Sequence, residues 1–108
     1  MSKAEYWQRG EAIDYVNNSD AAIEANEIVT LGSHIGVAGV PIGIGETGTL
    51  HVFGVFEMPK TSEKEIKAGT DVYFDGEGIT ETAGDVKAGY ATEAAAATDT
   101  TVKVKLLG

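Results

Sequence analysis

The chain has 108 residues, no cysteine, and a formal net charge of −9 from 17 acidic and 8 basic side chains. That length supports one domain and not two. The missing cysteines exclude disulfides and thiolate metal sites, and the acidic balance disfavours nucleic acid and anionic membrane surfaces as partners.

The N-terminal segment carries no apolar run of the signal-peptide kind. No stretch approaches the ~20 apolar residues of a membrane-spanning helix. The protein is therefore expected to be made and left in the cytoplasm unless a particle carries it out. Residues 1–11 read as an arm or first edge segment, and residues 12–108 as a single β domain. Tyr6 and Trp7 stand in this polar opening segment. Two readings stay open for them: a strand or lid packing Trp7 on its own core, or an arm docking on a partner, since Trp and Tyr are favoured interface anchors.

From residue 12 onward, short Val/Ile/Thr/Tyr/Phe runs alternate with glycines. That pattern predicts an all-β sandwich or barrel of short antiparallel strands. Strands are expected at residues 12–16, 27–31 and 34–38, the last two joined by Gly32-Ser33 as a hairpin pair. The run 49–58 (TLHVFGVFEM) is too apolar for a strand with one wet face. Its alternation slips phase at Gly54, which predicts a bulge, and Pro59 ends it. Its second face is expected to meet a neighbouring subunit, which makes Phe53, Val55 and Phe56 candidate interface residues beside Tyr6, Trp7 and Arg9.

Residues 61–66 begin with a possible N-cap and hold no Gly, which predicts one short helical turn. Further strands are expected at 71–75, 78–82, 88–92 and 101–106. In the last, Val102, Val104 and Leu106 share one face and Lys103 and Lys105 the other. The alanines 94–97 read as a turn-like connection. A short pattern recurs at Ile23-Glu24-Ala25-Asn26-Glu27, Ile42-Gly43-Ile44-Gly45-Glu46 and Ile66-Lys67-Ala68-Gly69-Thr70, with half of it at 82–85. Asn and Gly in fourth place tolerate positive φ, so one turn device is reused before successive strands.

Residues that carry chemistry are sparse. His34 and His51 have no partner at i+2 or i+4, and with an Asp they would make only a weak metal site. No serine lies in a nucleophile elbow. Residues 43–48 match G-x-G-x-x-G, but they precede a strand and not a helix, so the phosphate-binding helix N-terminus is missing. Asp71, Asp75 and Glu77 lack calcium-loop spacing and read as turn and edge residues. No catalytic residue, metal or cofactor is expected, and the chain reads as a non-enzyme.

Taken in order, several segments resemble one family. Tyr6-Trp7-Gln8-Arg9-Gly10 leads into Ile13-Asp14-Tyr15. Gly45-Glu46-Thr47-Gly48-Thr49 enters Val52-Phe53-Gly54-Val55-Phe56-Glu57-Met58-Pro59-Lys60. Ile66-Lys67-Ala68-Gly69 precedes Val72-Tyr73-Phe74-Asp75, and Gly89-Tyr90-Ala91-Thr92 and residues 99–106 close the set. This order is similar to the capsid decoration (head cement) proteins of tailed phages and prophages. The 78–85 hairpin looks shorter than in many relatives. The resemblance implies a compact β protein on the virion's capsid exterior, bound to the major capsid protein, often as a trimer, clamping the shell against DNA pressure. A tail or fibre component, or a glycan- or peptide-binding β module, are the competing expectations.

Overall fold

The structure, a computed structural model, describes residues 2–84 and 86–107; within them lie nine strands and no helix. β1 (Ala12–Val16), β2 (Ile28–Leu31), β3 (His34–Ala38) and β4 (Thr47–His51) form one antiparallel sheet in the order β1-β4-β3-β2. β5 (Phe53–Pro59), β6 (Asp71–Phe74), β7 (Ile79–Thr80), β8 (Val86–Ala91) and β9 (Thr101–Leu107) form the second, in the order β5-β9-β8-β6-β7. The all-β expectation holds as two packed sheets, with no closed barrel. The β2–β3 hairpin turns on Gly32 at φ +61, the positive φ that a two-residue primed turn requires.

The second sheet repeats the plan of the first. β1, β2, β3 and β4 correspond in pairing to β5, β6, β8 and β9, and β7 is an addition at the edge. The recurring turns explain the match. Ile23 bridges Ile42 in the first half, and Ile66 bridges Ala95 in the second. Each bridge opens a turn closed by a backbone bond, Glu27 N to Glu24 O, Glu46 N to Gly43 O, Thr70 N to Lys67 O and Asp99 N to Ala96 O. Positive φ falls on Asn26, Gly45 and Gly69, the fourth residue of the first three turns. Three acids also cap their own turns: Glu27, Glu46 and Asp99 accept from the N–H of Glu24, Gly43 and Ala96. Part of the acidic composition is thus turn chemistry.

Each half builds its own core from matching positions. Ile23, Val29, Ala38, Ile42 and Leu50 cluster in the first, with Ile13 and Tyr15 against them. Ile66, Val72, Ala91, Ala95, Val104, Phe56 and Met58 take the same places in the second. Ile35 and Val37 of β3 join this second cluster, and β3 against β8 is the main contact between sheets. Asn17 and Lys60 also correspond, each just past the first strand of its half, and both are buried. Asn17 Nδ2 donates to the carbonyls of Ala21 (2.9 Å) and Ile42 (3.0 Å), and Lys60 Nζ donates to Ser62 O at 2.7 Å.

Three expectations need correction. Residues 61–66 form no helical turn. Thr61 is held extended by its N–H bond to Ile79 O and its hydroxyl bond to Asp75, and Ser62 Oγ accepts from Lys64 N in a side-chain turn. One turn's worth of residues cannot offset the cost of helix nucleation against such partners. The 49–58 run is not one strand: the chain passes between sheets at Val52, so its two apolar ends face two cores. Gly54 adopts φ +123, but the β5–β9 register runs unbroken through it; the bulge lies instead between Val72 and Tyr73. Asp85, the last residue of the partial repeat at 82–85, lies outside the described residues.

Candidate functional site

The outward face of β5 and β9 follows from strand alternation. Met58 points to the core and Phe56 packs against it, while Phe53, Val55 and Glu57 point out. The register sets Phe53 beside Leu107, Val55 beside Lys105 and Glu57 beside Lys103. Phe53, Val55 and Leu107 are each about half exposed, at 50%, 54% and 54%. Together they form an apolar patch at one end of the face. Lys105 Nζ lies 4.2 Å from the Phe53 ring centroid, within cation–π range. The other end of the face is charged, with Lys103 Nζ 3.1 Å from a Glu93 carboxylate oxygen. β9 covers one edge of β5; on the other, β7 meets the chain just past β5, where Lys60 bridges Ile79 and Thr61 N donates to Ile79 O, and no further strand pairs along β5 among the described residues.

Tyr6 and Trp7 are 80% and 89% exposed, so neither packs on its own core. The arm is rooted where Val52 N donates to Glu11 O at 3.0 Å, and Gly10 at φ +79 redirects the chain there. Arg9 makes one long contact with Glu11, at 3.8 Å between exposed side chains, a pair that contributes little. The sequence-read residues therefore fall into two groups. Tyr6, Trp7 and Arg9 lie on the arm, Phe53 and Val55 on the β5 face, and Phe56 supports that face from the core side.

The histidines do not meet. His51 pairs with Val37, so His34 lies three residues along β3 from its cross-strand neighbour, on the opposite face and roughly 10 Å away. His51 instead stacks obliquely near Phe56, with ring centroids 6.2 Å apart. An open cleft beside the β2–β3 hairpin is lined by Thr30, Ser33, Phe74, Asp75 and Lys87. Asp75 is occupied structurally. It accepts from the Thr61 hydroxyl and from the N–H groups of Glu77 and Gly78, and these bonds hold its carboxyl below the usual aspartate range. Asp71 faces Lys87 at 3.5 Å. No group of three His, Asp or Glu side chains is gathered for a metal among the described residues.

Reading the residues alone missed Leu107, Lys60 and Asn17. Leu107 left a signal, since it follows Leu106 and so falls on the lysine face of the last strand. Lys60 and Asn17 left none, because their burial depends on chain crossings distant in sequence.

The family model for phage cement protein matches residues 7–106. No curated protein matches, and no solved structure does. The match covers the strands of both sheets and begins at Trp7 of the exposed arm; this chain belongs to the phage cement protein family, whose members are structural proteins that stabilise phage capsids.

Proposed function

We propose that this protein decorates the assembled capsid from outside, binds the major capsid protein across subunit boundaries, and works without catalysis as a homo-oligomer, in the first instance a trimer. The family match carries the reading, and the exposed arm and β5 face supply surfaces suited to it. A ligand that binds only the assembled state stabilises that state by mass action. Many copies on one shell then sum modest affinities into large particle stability. Tyr6, Trp7, Arg9, Phe53 and Val55 are the contact residues in this picture, with Phe56 bracing the strand that presents them. Synthesis in the host cytoplasm, from a phage or a resident prophage, would precede loading onto the shell.

The test is co-sedimentation of purified protein with expanded heads, followed by calorimetric melting of the loaded and bare particles. Binding should raise the head melting temperature. Trp7→Ala should weaken binding at least tenfold, since an aromatic hot spot is worth about 2 kcal/mol or more. Heads left unbound and unaffected would end the proposal, and electron microscopy placing the protein on the tail would replace it.

A further inference from the structure

We propose that the free edge of β2 takes up an extended, lysine- or arginine-bearing segment of the capsid protein as an added strand, a contact separate from the arm and the β5 face. This deepens the decoration reading and rests on it for the partner. Three observations carry it. The first is unmet bonding capacity. Ala38 N donates to Glu27 O, which fixes the phase of the β2–β3 ladder. Val29 and Leu31 then bond to β3, and the backbone N–H and C=O groups of Ile28 and Thr30 point away from it. No strand meets them on that side among the described residues.

The second observation is a precedent within the molecule. β2 and β6 hold matching places in the two halves, with Thr30 at the position of Tyr73. In the second half, the connection from β6 to β8 supplies β7. That strand pairs with the outer edge of β6, Tyr73 beside Thr80 and Phe74 beside Ile79. In the first half, Gly32-Ser33 alone join β2 to β3, so the same edge is bare. An open strand edge is a template for strand addition, and a segment from outside would complete here what β7 completes there.

The third observation is what surrounds the edge. A cleft of about 690 Å³ opens beside Thr30, with Phe74 and Val86 in its lining. A second hollow runs beside Ile28, past Phe74, to Glu27 and Glu77. Phe74 and Gly76 line both, so the two form one groove along the edge. The apolar lining suits the β-branched residues of an added strand. The charge along the groove is negative. Glu27, Asp75 and Glu77 stand in it, and Lys87, its one cation among the described residues, already faces Asp71 at 3.5 Å. Such a groove draws a basic segment and repels an acidic one. This chain itself carries a net charge of −9, which disfavours a second copy as the occupant.

Amide hydrogen exchange supplies the test. The probe is a capped peptide of Lys-Val-Thr-Val repeats, with Glu-Val-Thr-Val repeats as its control. The Ile28 and Thr30 amides should exchange freely in the protein alone. They should slow by about tenfold or more with the basic peptide and on heads, and not with the acidic peptide. Thr30→Pro removes one edge N–H at a place where strands tolerate proline, and it should weaken peptide binding about tenfold. Glu77→Lys reverses an exposed charge in the groove and should weaken it about threefold, a second readout if the proline variant fails to fold. Unslowed Ile28 and Thr30 amides with the basic peptide, or parent-like binding by either folded variant, would overturn the proposal. So would slowing that rises with protein concentration in the absence of peptide and heads, which assigns the edge to a second copy. The capsid reading fails separately. Heads left unbound while the peptide protects the edge defeat decoration and leave the edge site; bound heads with fast Ile28 and Thr30 amides defeat the edge site alone.

Discussion

Replacing Asn17 by Ala should cost about 2–3 kcal/mol of folding stability. The side chain is fully buried. Its Nδ2 donates to the carbonyls of Ala21 and Ile42, and its Oδ1 accepts from the N–H and hydroxyl of Ser19 at 3.0 and 2.6 Å. None of these partners is orphaned by the substitution. Ile42 O keeps the N–H of Ile23, Ala21 O keeps the Ser19 hydroxyl, and Ser19 itself is exposed to water. The full desolvation penalty therefore does not apply. What is lost is the net value of the bonds, about 1 kcal/mol for each Nδ2 bond and about half that for each exposed one. For a domain near this size the loss should lower the melting temperature by roughly 10–20 °C. Asn17→Asp should be worse, because a buried carboxylate would face two carbonyl oxygens. Trp7 is too exposed to report unfolding, so far-ultraviolet circular dichroism against urea is the assay. If both variants unfold within about 0.5 kcal/mol of the parent, near the noise of surface substitutions, the claim that this side chain ties β1 to the 42–46 turn is wrong.

Other substitutions read different parts of the molecule. Gly69 sits at φ +84 with open space where a Cβ would go, so Gly69→Ala should cost about 1–2 kcal/mol from backbone conformation alone; Gly69→Asn should recover much of it, as Asn26 fills the same place in the first turn, and denaturation midpoints would rank the three. Leu50→Ala, at the centre of the first core and fully buried, should cost about 2–5 kcal/mol, with a value under 1 kcal/mol by the same assay counting against a separate core in that half. Asp75 has its carboxyl pKa lowered in the folded state, chiefly by the Thr61 hydroxyl. Such a group contributes stability above its unfolded pKa and loses it as pH falls through the folded value. The stability gap between the parent and Asp75→Asn should thus be present at neutral pH and close below about pH 4; a gap independent of pH from 7 to 2 would contradict this account.

Local chemistry made much of the fold legible. Strands at 12–16 and 34–38 stand where short apolar runs between turn residues placed them, and the last strand where alternation did, because a half-buried strand writes its two faces into every second residue. The turn device was visible wherever Asn or Gly marked positive φ. Its fourth copy, Ala95 to Asp99, was hidden because alanine replaces isoleucine and Thr98 needs no positive φ. The segment 61–66 misled for a related reason, since its helix-compatible residues are held straight by Ile79 and Asp75, far along the chain.

The amino-acid sequence by itself determined the β class, the turn positions and, through an ordered set of segments, the family. Tertiary structure decided that the apolar run 49–58 divides at Val52 between two sheets, which turns Phe53 and Val55 outward rather than into one core. It also decided that Trp7 stands free of the body and that Asn17 and Lys60 lie buried in matching places. Periodicity reports which residues share a face of one strand; which face is covered depends on the elements that cross it, and those contacts join residues distant in sequence.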